Sequence, residues 1–230
     1  MRLTIDYEMN GNKLPRGYLR GFMSLIKEII KKEDSFLFDQ YFKKHKLKPF
    51  TFGVYFPELK GNDGEMLNVG NRLKFNFSTS SPELATYFYN GHQKIKEYPI
   101  FENKISPKHF TLHKNLTIRK EEVIFKTMSP FLVNNIGQSN KFLFPDEDGF
   151  MEGLKFSVNE CAKEFLGKEK VEIEFEPLAI KRKVVYHYQK MPTNVGVFKL
   201  KSEPEVLQMV YDIGIGVHRS QGFGMLEVVQ

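Results

Sequence analysis

Cysteine is almost absent from this chain, tryptophan is wholly absent, and no apolar run approaches the roughly 20 residues of a helical membrane span. A single cysteine, Cys161, excludes an intrachain disulfide and a cluster of thiolate metal ligands. Its neighbours Val158, Ala162 and Phe165 mark it as a packed core thiol. The N-terminal stretch MRLTIDYEMNGNKLPRG lacks the charged-then-apolar plan of a signal peptide, so the expected location is cytoplasmic, with no membrane partner. Histidine is sparse and shows no H-E-x-x-H or comparable ligand spacing. His92, His109, His113 and His187 take ordinary surface or strand explanations, and neither a metal site nor a cofactor is expected.

What the chain has instead is positive charge and aromatic rings. Lys and Arg number 34 against 28 Asp and Glu, a formal charge of +6, and this balance favours a polyanionic partner. The 22 Phe and 10 Tyr could stack on unpaired bases if exposed. Their spacing assigns most of them to the core. Phe50, Phe52 and Phe56 alternate with more polar residues, as do Leu73, Phe75 and Phe77, the period of a half-buried strand.

Periodicity gives a strand at 2–8, a helix at 15–32 with Tyr18, Phe22, Leu25 and Ile29 on one face, and a second helix at 35–46 capped by Asp34 or Ser35. Strands at 49–57 and 71–79 follow, then a helix opened by Ser81-Pro82-Glu83 and strands near 98–103 and 108–118. A similar order returns: strand 121–127, helix 149–166, strands 171–178, 183–189 and 194–200, helix 204–212 and strand 223–229. Repetition of βαββαβ predicts an α+β chain of two tandem ferredoxin-like, RRM-like domains, at 1–119 and 120–230. No Pro/Gly/Ser-rich linker separates them, so they are expected to pack closely around a shared groove.

The C-terminal stretch GIGVHRSQGFGMLEVVQ places Gly214, Gly216, Gly222 and Gly224 around a short cationic segment. Glycines at such positions adopt positive φ and turn successive N–H groups outward, an arrangement that cradles phosphate oxygens. His218, Arg219 and Gln221 add side-chain donors. A helix enters this loop and a strand leaves it, the reverse of a dinucleotide-binding fingerprint. Further basic clusters, Arg119-Lys120 and Lys181-Arg182-Lys183, are candidates for holding a folded RNA; Arg119 precedes the second domain, and the other run is expected between two strands. Solvated loops explain them equally well.

The tail GIGVHRSQGFGML resembles the glycine-rich signature of the RAMP superfamily of CRISPR RNA-binding proteins. HKLKPFTF at 45–52, FKTMSPFLV at 125–133 and NVGVFKL at 194–200 are similar, in order, to segments of its repeat-processing endoribonucleases. The resemblance implies cleavage of CRISPR precursor RNA within the repeat, no metal cofactor, and a product that in some systems passes to effector-complex subunits. It leaves open whether the protein works as a monomer or a homodimer.

Within HKLKPFTF the resemblance points to His45 and Lys48. Metal-free RNA cleavage uses the substrate's 2′-OH as nucleophile and leaves a 2′,3′-cyclic phosphate and a 5′-OH. An imidazole suits the proton transfers, and an ammonium suits the charge that grows on the nonbridging oxygens. Family members often carry a tyrosine on the first helix, where LPRGYLRGFMSLI has Ser24; Tyr41, one helical turn before His45, is a candidate substitute. A histidine at a helix end is also a simple dipole cap. The rival reading is a noncatalytic RNA-binding RAMP subunit of an effector complex. A generic single-strand RNA module would need exposed aromatics on a sheet, and KFNFS at 74–78 reads as core.

Overall fold

A computed structural model describes residues 1–43 and 46–229, with the side chains of residues 139 and 140 left aside. The chain begins with β1 (Arg2–Met9) and β2 (Lys13–Pro15), then α1 (Leu19–Glu33) and α2 (Ser35–Phe42). Next come β3 (Phe50–Tyr55), the short β4 (Gly61–Asp63) and β5 (Met66–Asn68), and β6 (Arg72–Thr79). The first half closes with α3 (Pro82–Gln93), β7 (Tyr98–Ile100) and β8 (Asn103–Leu112). Its main sheet is antiparallel, in the order β3-β6-β1-β8-β7, while β2, β5 and β4 form a small separate sheet.

Alternation fills this sheet's inner face. Phe52 stands opposite Phe77 and Val54 opposite Phe75, and Phe50, Phe52, Phe75 and Phe77 are all buried. Phe22 of α1 stacks on Phe75, and Phe88 of α3 stacks on Phe77 with ring centres 4.1 Å apart. Helices α1 and α3 touch backbone to backbone, because a Cβ on Gly91 would lie 2.2 Å from the Ile29 carbonyl oxygen.

The second half comprises β9 (Glu122–Thr127), the hairpin β10 (Asn134–Asn135) and β11 (Gln138–Phe142), and α4 (Phe150–Leu166). The long strands β12 (Glu174–Tyr186) and β13 (Lys190–Lys201), α5 (Pro204–Ile213), a 3-10 turn at Arg219–Gln221 and β14 (Leu226–Val228) complete it. Its antiparallel sheet runs β12-β13-β9-β14. Helix α4 is stopped at both ends by glycines in the left-handed region, Gly149 and Gly167. Cys161 is buried on α4 among Val158, Ala162 and Leu154, as expected of a core thiol.

Several boundaries depart from the sequence reading. Helix α1 begins at Leu19 rather than 15, because Lys13–Pro15 pairs with β5 instead. Helix α2 ends at Phe42, short of residue 46. The strands expected at 98–103 and 108–118 form a hairpin turned at Phe101, which takes φ of 54°. The strands expected at 171–178 and 183–189 are one strand, β12, paired continuously with β13 apart from an irregularity between Pro177 and Ala179. Lys181-Arg182-Lys183 therefore lies inside a strand and not between two.

The two halves share a seam. Leu132, Phe142, Met191 and Phe223 of the second half belong to the apolar core of the first. The Thr51 hydroxyl donates to the Phe223 carbonyl at 2.8 Å, Ser78 donates to the Asp212 carbonyl at 2.7 Å, and the Arg2 guanidinium lies 3.5 Å over the Tyr211 ring.

Candidate functional site

The glycine loop is built into the seam. Gly214, Gly216, Gly222 and Gly224 all take positive φ, and so does His218 at 57°. Close approach explains them as much as turning does: a Cβ on Gly216 would sit 2.1 Å from the Leu132 carbonyl oxygen, and one on Gly222 would sit 2.8 Å from both Leu19 and the Phe52 ring. The amides of Ile215, Val217 and Gly224 donate to Gly224, Leu132 and Pro130, those of Gln221 and Gly222 donate within the turn, and that of Met225 donates to the Ser129 hydroxyl. The loop is a packed joint, and its polar segment at His218–Gln221 is the part left near the surface.

Arg219, expected at the RNA, points the other way. Its side chain is 6% exposed, its guanidinium lies against Cys161, and Nη1 has no hydrogen-bond partner. Burial lowers its pKa, with Cys161 acting in the opposite sense. A buried guanidinium in this position fixes the loop on α4. His218 is half-buried, edge-on to Phe142 and beside Gln221; burial lowers its pKa, and Gln221 acts against that.

His187, at the tip of the β12–β13 hairpin, was expected to have an ordinary strand or surface role and is buried instead. It packs edge-on to Tyr188 and Phe223 and lies near Gln221, with neither ring nitrogen in hydrogen-bonding geometry. Burial holds its pKa down at about 4. The hairpin tip is thereby docked onto the glycine loop, and Arg20 of α1 approaches the Tyr188 ring at 5.8 Å. Beside this contact lies a cleft of about 410 Å³ between the halves, lined among others by Arg16, Tyr18, Lys183 and Tyr186. Arg16 stands 4.8 Å over the Tyr186 ring.

Along β12 the basic run splits by strand period. Lys181, Arg182 and Lys183 are all exposed, but Arg182 makes a two-pronged ion pair with Asp146 at 2.8 Å to each oxygen and covers the Phe144 ring at 4.0 Å. No carboxylate pairs with Lys181 or Lys183 among the described residues. Arg119 is exposed in the segment joining β8 to β9.

Of the cleavage residues expected from the sequence, His45 lies outside the described residues. Lys48 is half-buried, with its ammonium 5.7 Å from the centre of the Phe42 ring; burial and the charge of Lys27 lower its pKa. Tyr41 turns toward Ser81 at the start of α3 and lines a cavity of about 570 Å³ with Leu47, Ser80 and Met209. Burial and then Glu83 raise the phenol's pKa, against the Ser81 hydrogen bond. Lys48 and Tyr41 thus have different neighbours, Lys48 facing α1 and Tyr41 facing α3. A phenol missed by sequence reasoning lies on α1: Tyr98 of β7 donates to the Ser24 hydroxyl at 2.9 Å. No local pattern could have joined two residues 74 positions apart.

Comparison with known proteins agrees with this architecture. The family model described as CRISPR associated protein Cas6, C-terminal, matches residues 111–228. The CRISPR-associated endoribonuclease Cas6 of Pyrococcus furiosus is 24% identical over 246 residues, spanning 99% of this chain and 88% of that protein. Among solved structures, the product of a Cas6-related gene from Pyrococcus furiosus has a TM-score of 0.88 at 19% identity, covering 100% of this chain and 98% of that one. A RAMP protein binding different RNA substrates has a TM-score of 0.83 at 20% identity, with 100% of both chains covered.

Proposed function

The chain belongs to the Cas6 family of CRISPR-associated proteins, and we propose on that footing that it is an endoribonuclease that cuts CRISPR precursor RNA within the repeat. The observation that carries this reading is the family match across residues 111–228, which contain the glycine loop and the hairpin docked on it. The two halves are tandem ferredoxin-like domains: in each main sheet the second strand of a βαββαβ unit pairs with the third, the third with the first, and the first with the fourth. In that frame the domains are 1–119 and 120–230.

Cleavage proceeds without a metal. The 2′-oxygen forms a bond to the adjacent phosphorus while the bond from phosphorus to the 5′-oxygen breaks. A base takes the 2′-OH proton, and an acid returns one to the departing 5′-oxygen. His45 is the acid/base group, and Lys48 stabilises charge on a nonbridging oxygen. Tyr41 remains a candidate third group; the Tyr98–Ser24 hydrogen bond favours a second source, a phenol presented on α1. RNA is held by the polar segment of the glycine loop, His218 and Gln221 with Gly214, Gly216, Gly222 and Gly224 shaping it, and by Lys181 and Lys183. Arg119 and Arg182 are outer phosphate contacts, Arg182 only after release from Asp146. Arg219 serves the loop from within.

The test is cleavage of repeat RNA in excess EDTA by the unaltered protein and by His45→Ala. One cut leaving a cyclic phosphate and a 5′-OH, slowed roughly 100-fold or more in the variant with RNA affinity within a few-fold, is the expected outcome. Tight binding without a cut by the unaltered protein identifies the noncatalytic effector subunit instead. Loss of cutting on EDTA addition overturns the metal-free chemistry.

A further inference from the structure

Half of the described lysines have a carboxylate at hand, as in Lys13–Asp63, Lys43–Asp39, Lys74–Asp6, Lys104–Glu97 and Lys108–Glu8. Lys27 of α1 and Lys48 belong to the other half, and they converge on one ring. Both ammonium groups approach the same ring, Phe42, at 5.6 and 5.7 Å, and neither forms an ion pair among the described residues. The nearest acid on α1, Glu28, is engaged with Lys32 at 3.8 Å.

Cation–π attraction accounts for one ammonium over a ring but not for gathering two like charges around it without an anion. The cost is visible at Lys48, where the charge of Lys27 adds to burial in disfavouring the protonated form. An anion placed between the two relieves both. The face of α1 continues the pattern, because Arg20, Ser24, Lys27 and Lys31 recur at helical spacing, all are exposed, and none is acidic. Lys31 leans over Phe38, the ring next to Phe42.

We propose that Lys27 is a second catalytic cation, sharing the scissile phosphate with Lys48 across the Phe42 ring. A phosphorane carries charge on two nonbridging oxygens, and two ammonium groups on opposite elements meet one each. Phe42 is the spacer that keeps the lysines apart when no RNA is bound. Neither lysine changes its covalent bonds; both act by holding charge. The inference rests on the reading of Lys48 as a phosphate contact.

Single-turnover cleavage of repeat RNA separates the two ideas when measured for Lys27→Ala, Lys27→Arg, Lys27→Gln, Lys48→Ala and the double alanine variant. Affinity is measured in parallel on RNA carrying a 2′-deoxy group at the cut. Lys27→Ala and Lys27→Gln should cleave about 10- to 100-fold slower than the unaltered protein, with affinity for the uncleavable RNA within about threefold. Lys27→Arg should recover most of the rate. The double variant should be slower than either single one by less than the product of the two effects, since the lysines act on one anion. Cleavage by Lys27→Ala within twofold of the unaltered rate overturns the proposal. So does a loss of rate matched by the loss of affinity, or equal rates for Lys27→Gln and Lys27→Arg. An unaffected Lys48→Ala beside a slow Lys27→Ala would refute the shared clamp, while absence of cutting by the unaltered protein would refute the nuclease assignment itself.

Discussion

Two buried histidines make the fold sensitive to acid, each through its own neighbours. His92 is 3% exposed on α3, and its Nε2 is 2.6 Å from the Tyr7 hydroxyl. Burial holds its pKa at about 4, as it does for His187 in the seam. A folded-state pKa below the unfolded value of about 6.5 means that the unfolded chain takes up protons first. The stability these residues contribute is complete above about pH 6.5 and is lost as pH falls toward 4. Between pH 7 and 5 the expected loss is roughly 2 kcal/mol for each histidine. Urea midpoints at the two pH values check this, and His92→Gln, which keeps a polar partner for Tyr7 without titrating, should remove about half of the difference. An unchanged pH dependence in that variant would remove His92 from the account. From sequence His92 takes an ordinary surface or strand role; it is buried instead, because it stands one turn beyond Phe88 on the helix face turned to the core.

At the scale of the element, β12 turns one basic run into two different kinds of residue. Lys181 and Lys183 share one strand face and are free of carboxylates among the described residues, while Arg182 faces the other way and is held by Asp146. If the lysines track RNA phosphates, the double change Lys181→Ala with Lys183→Ala should lower the slope of log affinity against log salt by roughly 0.7 to 0.9 per phosphate lost. Arg182→Ala should leave that slope nearly unchanged, and fluorescence anisotropy across a salt series measures both. A larger effect from Arg182 than from the lysines would reverse the assignment of the two faces. Reading a turn at 181–183 followed from charge, because three successive cations look like a solvated loop. Cross-strand pairing with β13 carried the strand through them, and that pairing is not local information. Elements defined by their own apolar period, such as α1, α4, β3 and β6, were legible within a few residues. The short strands β2, β4, β5, β10 and β11 have no such period and were not. The glycines were conspicuous in the sequence, yet their closest contacts are to Leu132, Ile215 and Phe52, so the loop's packing role became visible only in three dimensions.

For the whole molecule, the seam decides whether two similar halves behave as two units or one. Phe223 is fully buried, belongs to the first half's core although it lies near the C-terminus, and accepts the Thr51 hydrogen bond through its carbonyl. Its ring also meets His187 and His218, so one side chain joins the first sheet, the hairpin tip and the glycine loop. Deleting a buried phenyl ring of this kind costs about 3 to 5 kcal/mol. Were the halves independent, that loss would fall on one of them and separate the melting curve into two steps. Sharing of Leu132, Phe142, Met191 and Phe223 with the first core instead couples them. Unfolding should therefore be a single transition, and Phe223→Ala should shift it as a whole, with near-ultraviolet tyrosine signals and far-ultraviolet helix signals moving together. Two separated transitions in the unaltered protein, or a Phe223→Ala shift confined to one probe, would show that the seam is only a surface between independent domains. The coupling bears on the proposed function, because the cleft we propose for RNA lies on that seam, and halves that unfold together also hold its two walls at a fixed spacing before any RNA arrives.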